Sequence, residues 1–157
     1  DGKDGMKVTL YSGMAGRKLT EQKNILLSIP ARIEGQKFKA RKDISEDIVS
    51  EELQEAEEML ENGHIRCAGV LTGVSLERHL LTVCETSEKE IEYSHSFNIG
   101  GFADALHKEG IIGGSKKSQI EWLASIRKKC AHDDKELPDD NEVGRLIEQT
   151  RDIIRGT

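Results

Sequence analysis

Apolar and polar positions divide the chain near residue 43. Before that point, two segments carry short β-rich runs punctuated by glycines and Pro30: KVTLYSG, from residue 7, and NILLSIPARIEG, from residue 24. A basic stretch with one aromatic, GQKFKARKD, closes this part. We therefore predict that residues 1–43 form a short N-terminal extension with extended or β structure. This segment cannot build a core alone, so it packs on the rest or belongs to something larger.

From residue 44 onward, apolar positions recur at helical spacing. The segment ISEDIVSEELQEAEEMLENG places five apolar side chains on one face and acidic residues on the other: Ile48, Leu53, Ala56, Met59 and Leu60. Ser45 or Asp43 can cap the start of this helix, and Gly63 can end it. The next segment, HIRCAGVLTGVSLERHLLTVCE, is apolar on nearly every face, which predicts a central helix.

Three further helices follow a polar loop at residues 86–98. GFADALHKEG is a short helix, and a fourth helix starts at Ser115 or Ser118 and runs to about Ala131. The fifth is EVGRLIEQTRDIIR, which opens with a possible capping box between an aspartate at position 139 and a glutamate at position 142. Five helices with short connections predict an all-α, antiparallel bundle over residues 44–157.

Composition narrows the class of protein. The chain has 157 residues, 36% hydrophobic and 33% charged, with a net charge of -6. This balance excludes a uniformly basic nucleic-acid surface, although a local basic patch remains compatible with it. No apolar run approaches the roughly 20 residues that span a bilayer, and the start DGKDGMKVTLYSG has no signal-peptide pattern. We expect a cytoplasmic protein without a membrane partner, or a piece of a longer chain.

The three cysteines, Cys67, Cys84 and Cys130, have mostly apolar neighbours, which favours reduced and packed thiols. A zinc site would require Cys67 and Cys130 to converge with His64 and His132, and no closely spaced pair repeats as in a zinc finger. We predict neither a metal nor a cofactor.

One charged residue lies where the helical pattern predicts burial. Arg127 falls in the middle of the apolar stripe of the fourth helix, which consists of Ile120, Leu123, Ala124, Cys130 and Ala131. An unpaired buried charge is costly, so this guanidinium must reach a partner, line a cleft or face another subunit. Glu77 on the central helix is the partner that we predict.

His132 follows Arg127 by five residues, about 140° further round an ideal helix. The two side chains therefore converge only if the helix ends there and the chain turns, and the polar run DDKELPDD from residue 133 favours such an end. A histidine beside a fixed guanidinium suits phosphodiester chemistry. The imidazole moves a proton to or from a ribose hydroxyl or a leaving oxygen, and the arginine stabilises charge on the phosphate.

Three stretches, GVLTGVSLERHLLTVCE, IEWLASIRKKCAHDD and EVGRLIEQTRDII, together resemble the HEPN domain (higher eukaryotes and prokaryotes nucleotide-binding). That family is an all-α bundle whose signature is an arginine, four to six residues and a histidine near the end of a late helix. The resemblance covers about residues 45–157 and leaves the N-terminal part aside.

The resemblance implies a metal-independent endoribonuclease of the kind found in toxin–antitoxin, abortive-infection, CRISPR and RNA-processing systems. Arg127 and His132 would be its catalytic pair, and a homodimer would join two such pairs in one composite cleft. An antitoxin, or a fused or upstream domain, would be a further partner. Lys128 stands where active members often carry asparagine. Since some members are inactive, the alternative is a non-catalytic RNA- or nucleotide-binding module, or a dimerisation scaffold, within a larger protein.

Positive charge concentrates on the fourth helix. Lys116 and Lys117 near its start, and Lys128 and Lys129 near its end, are candidates for binding an RNA backbone. The same lysines could equally pair with the acidic face of residues 46–61, within the protein or across a dimer.

Overall fold

The computed structural model describes the backbone of residues 2–132 and 137–157, and the side chains from residue 16 onward within those ranges. Over these residues the chain is all-helical, and the predicted five-helix bundle is confirmed. The helices are α1 (Gly2–Glu61), α2 (Ile65–Thr86), α3 (Ile99–Lys108), α4 (Gly114–Ala131) and α5 (Asp140–Arg155).

The chain divides into two compact units, Asp1–Phe38 and Lys39–Thr157. The first unit is the N-terminal part of α1, and its described side chains, from residue 16, are exposed. The second unit contains the remainder of α1 and helices α2 to α5. Every buried residue of the core belongs to this second unit.

The prediction of extended or β structure in residues 1–43 is wrong, because residues 2–43 are helical. The short apolar runs and Pro30 favoured strands, since proline in a helix interior costs a backbone hydrogen bond. However, the larger apolar residues recur at intervals of seven, three and four, which is helical spacing, at Leu19, Leu26, Ile29 and Ile33. That pattern fits the observed helix, which continues through Pro30.

The C-terminal part of α1 packs on the bundle through Val49, Leu53 and Ala56, which are at most 2% exposed. The predicted helix start at Ser45 or Asp43 is wrong because α1 continues through both. The Ser45 hydroxyl instead forms a buried hydrogen bond with the Thr82 hydroxyl of α2, at 2.8 Å.

The predicted stop of this first bundle helix is confirmed. Gly63 adopts a positive φ of 77°, a conformation that glycine enters without a Cβ penalty. The N–H of His64 then donates to the carbonyl oxygen of Met59 at 2.8 Å, which satisfies a carbonyl group of the last helical turn. The chain reverses here and enters α2 at Ile65.

Helix α2 is the centre of the bundle and packs against α3, α4 and α5. Its near-continuous apolar sequence explains this position, and Leu76 and Leu80 are completely buried. The buried hydroxyl groups of Thr72 and Ser75 on the same helix have hydrogen-bond acceptors. Thr72 donates to the Ala68 carbonyl oxygen at 2.8 Å, and the Ser75 hydroxyl lies within donating distance of both the Glu52 carboxylate, at 2.8 Å, and the Leu71 carbonyl oxygen, at 3.0 Å.

Side-chain caps fix the starts of α3 and α5. The Asn98 side chain accepts a hydrogen bond from the Gly101 N–H at 2.9 Å. Asp139 and Glu142 form the capping box that their spacing predicts, with Asp139 Oδ1 accepting from the Glu142 N–H at 2.8 Å. The Asn98 cap sets where α3 begins beside α4, and therefore where the cleft described below opens.

Candidate functional site

A cleft of about 380 Å³ lies among α2, the start of α3 and the C-terminal half of α4. Its polar lining consists of Glu77, Asn98, Ser125, Arg127, Lys128 and His132. Ile99, Gly100 and Ala124 complete the wall. The cleft thus brings together residues that are far apart in the sequence, including both members of the predicted catalytic pair.

Arg127 reaches this cleft from a position inside the apolar stripe of α4. Its neighbours Ile126 and Cys130 are buried, whereas Arg127 itself is only partly exposed. The Nε atom is buried and has no hydrogen-bond partner, and within the described part of the chain no carboxylate forms an ion pair with the guanidinium. The group is therefore available to an anion that enters the cleft.

His132 lines the same cleft and directly follows Ala131, the last residue of α4. Its φ and ψ of -105° and 158° are extended, and its N–H donates to the carbonyl oxygen of Lys128 at 3.1 Å. This N–H still makes the helical i→i−4 bond, so the chain leaves the helical path only after His132, and both His132 and Arg127 line the cleft. Residues 133–136 of the acidic run that predicted this turn lie outside the described residues.

Glu77 also lines the cleft, from α2. It was predicted as the ion-pair partner of Arg127, and among the described residues the two side chains share the cleft without an ion pair between them. The cleft consequently holds a carboxylate, a guanidinium and an imidazole, with no ion pair between the carboxylate and the guanidinium.

The four lysines predicted to bind RNA do not form one surface at the cleft. Of these, only Lys128 is part of the lining. Lys116 donates to the carbonyl oxygen of Gly156 at 2.7 Å, and Lys117 pairs with Asp104 at 2.7 Å. Both side chains therefore make contacts with other parts of the fold, which the spacing of residues along one helix does not predict.

Lys129, the fourth of these lysines, pairs with Glu142 at 3.6 Å. This contact joins the end of α4 to the first turn of α5, close to the capping box. Both side chains are partly exposed, so this ion pair adds only modestly to the packing of α4 against α5.

Asn98 and Ser125 were missed as cleft residues from the sequence. The position of Asn98 before IGGF indicates a helix start, but nothing in the sequence places this start beside α4. Ser125 is one of several exposed polar residues of α4, and its hydroxyl donates to the carbonyl oxygen of Trp122 at 2.6 Å. Asn98 and Ser125 line the cleft because α3 packs on α4.

The cysteines do not add a nucleophile to the cleft. Burial raises the pKa of the Cys130 thiol, and it raises the pKa of Cys84 to about 11, with the charge of Glu85 acting in the same direction. Both thiols therefore stay protonated near neutral pH. Among the described residues, no group of three or more histidine, cysteine, aspartate or glutamate side chains could hold a metal ion.

Comparisons with protein-family models, curated proteins and solved structures gave no match. Within the described residues, no helix combines the length and apolar character needed to cross a membrane.

Proposed function

We propose that this protein is an endoribonuclease that works without a metal ion, with Arg127 and His132 as its catalytic pair. The observation that carries the proposal is their placement in one cleft, with a guanidinium that forms no ion pair with any carboxylate of the described chain and whose buried Nε has no hydrogen-bond partner. A structural arginine in an apolar stripe would instead be expected to pair with a buried carboxylate. The HEPN-like pattern of the sequence supports the same assignment.

The proposed reaction is an internal transesterification of RNA. The ribose 2′-oxygen attacks the adjacent phosphorus and loses its proton, the P–O5′ bond breaks, and the O5′ leaving group gains a proton. His132 moves one of these protons, and Arg127 stabilises the negative charge that develops on the phosphoryl oxygens. The products are a 2′,3′-cyclic phosphate end and a free 5′-hydroxyl end.

The biological setting in this proposal follows the resemblance. The working unit is a homodimer in which two Arg/His pairs share a composite cleft, and the activity belongs to a defence or toxin-type system. An antitoxin, or a domain fused to or preceding this chain, restrains the cleavage.

The experiment is a cleavage assay in EDTA with end-labelled single-stranded RNA and total tRNA. Removing one electrostatic donor to a transition state typically costs about 10²–10³ in kcat, so Arg127→Ala is expected to lose at least about 100-fold. His132→Ala should lose a similar factor because general acid–base catalysis contributes about 10²–10⁴-fold.

Matched controls separate the cleft from general charge effects. Arg145→Ala removes an exposed arginine of α5, and His95→Ala removes an exposed loop histidine; neither residue lines the cleft. Both controls should cleave at the parental rate. Equal cleavage by the parent and the Arg127 or His132 variants contradicts the proposal. RNA binding without cleavage by any of these proteins instead supports a binding module.

A further inference from the structure

Gly73 of α2 lies directly under the side chain of Arg127. A Cβ atom built at Gly73 would overlap Arg127 Cγ, and it would lie 3.0 Å from Arg127 Cβ and 3.1 Å from Cδ. The aliphatic stem of the arginine therefore runs across the bare backbone of α2. Gly73 is buried, so no water or flexible surface chain separates the two.

This contact is the geometric reason why Arg127 can occupy the apolar stripe. Any residue with a Cβ at position 73 would compete with the stem for the same space, and the neighbours on α4 are buried. Glycine is otherwise a poor choice there, because only proline is less favourable in a helix interior. The stem packs as an apolar group while the guanidinium extends to the cleft, which is usual for long basic side chains.

We propose that Gly73 is a positioning residue for Arg127. By leaving room for three methylene groups on α2, it fixes the direction of the side chain and presents the guanidinium to the cleft wall that it shares with His132. This inference rests on the proposed function for its catalytic consequence. The packing itself has readouts that do not depend on activity.

Gly69, one helical turn earlier, supplies a matched control. A Cβ at Gly69 would overlap Cys130 Sγ, and it would lie 3.1 Å from Cys130 Cβ. Gly69→Ala therefore disturbs the same pair of helices to a similar degree without touching Arg127. A change in stability or activity that both variants share is caused by the altered spacing of α2 and α4. A change seen only in Gly73→Ala is caused by the displacement of the Arg127 side chain.

The first experiment is a double-mutant cycle on thermal stability in the full chain. Gly73→Ala should lower the Tm by roughly 5 °C, the scale expected for overpacking in a protein of this size. In an Arg127→Ala background, Cγ and Cδ are gone, and the same substitution should lower the Tm far less. An equal loss in both backgrounds overturns the proposal.

The second experiment observes the position of the guanidinium directly. The buried Arg127 Nε–H should give a solvent-protected ¹H–¹⁵N resonance, assigned by its loss in Arg127→Ala. Gly73→Ala should shift this resonance and remove its protection, whereas Gly69→Ala should retain both. An unchanged, protected resonance in Gly73→Ala contradicts positioning by Gly73.

The third experiment connects positioning to catalysis. A misplacement of about 1 Å can cost about 100-fold in rate, so Gly73→Ala should lower kcat by roughly that factor with KM little changed. Gly69→Ala, whose new Cβ would meet Cys130 and not Arg127, should lower kcat by much less than Gly73→Ala does. Adding Gly73→Ala to Arg127→Ala should cost nothing further, and an additive loss counts against the proposal.

The two failures are distinguishable. If the parent does not cleave RNA but the stability cycle and the Nε resonance behave as described, the positioning of Arg127 by Gly73 stands and the ribonuclease proposal fails. If the parent cleaves and Gly73→Ala cleaves equally well, the ribonuclease proposal stands and the positioning role fails.

Discussion

Acidification should destabilise this fold through a single buried histidine. His79 of α2 is 4% exposed, and its Nε2 atom has no hydrogen-bond partner. Burial lowers the pKa of His79 from 6.5 to about 4, and the charges of Lys42 and Lys116 act in the same direction. The native state thus holds a neutral imidazole that the unfolded chain would protonate.

The sign and the size follow from proton linkage. Below pH 6.5, His79 is protonated in the unfolded state, whereas in the folded state it is protonated only below about pH 4. The free energy of unfolding therefore falls as the pH drops through this window. The two pKa values correspond to a loss of about 2 kcal/mol at pH 5 and a limit of about 3 kcal/mol at lower pH. Above pH 6.5 this contribution is fully retained.

The assay is urea unfolding of the parent and of His79→Gln at pH 7.5 and pH 5.0. The substitution removes the titrating group, so the parent should lose about 2 kcal/mol more than the variant between these two pH values. Any constant cost of the substitution cancels in this comparison. Equal losses in the two proteins refute the reasoning.

Three further substitutions test the hydrogen bonds, helix propensity and capping that stabilise the bundle. Glu52→Ala should lower the free energy of unfolding by about 1–3 kcal/mol in urea titrations. The Glu52 carboxylate accepts hydrogen bonds from Ser75 Oγ at 2.8 Å and from Arg78 Nη1, and so joins α1 to α2. No loss of stability would show that this network is dispensable. Gly144→Ala should raise the free energy of unfolding by about 0.5–1 kcal/mol, because alanine favours a helix more than glycine does. The new Cβ atom would meet only Leu60 Cδ2, at 3.8 Å, which is ordinary van der Waals contact. A lower Tm would contradict this prediction. Asp139→Ala should cost about 1 kcal/mol by removing the cap of α5, and an unchanged urea midpoint would count against that role.

The helices of the bundle were predictable because burial imposes a strong period on their sequences. The apolar face of α5 and the all-round apolar character of α2 indicated helices, and the capping box at Asp139 and Glu142 marked a helix start that the structure confirms. The N-terminal part was not predictable in this way. There the described side chains of residues 16–38 are exposed, so no buried face reinforces the helical spacing of the apolar residues.

The candidate site was predictable only in part, and the reason is again physical. Arg127 attracted attention because a charge inside an apolar stripe requires an explanation, and the structure places it in a cleft together with His132. The contribution of Asn98, the pairing of three lysines and the space above Gly73 all arise from contacts between helices. Such contacts depend on how helices are rotated and spaced, which the hydrophobic period of each helix does not specify.

The most direct test of the proposed chemistry is end-group analysis of RNA cut by the parent protein in EDTA. Paired substrates would be an oligoribonucleotide and the same oligonucleotide with a single 2′-deoxy substitution at the mapped cleavage position. We predict 2′,3′-cyclic phosphate ends from the first substrate, no cleavage at the substituted position of the second, and no product from the Arg127→Ala/His132→Ala variant. Cleavage at the 2′-deoxy position, or undiminished cleavage by the folded double variant, would contradict the assignment of Arg127 and His132 to an internal transesterification.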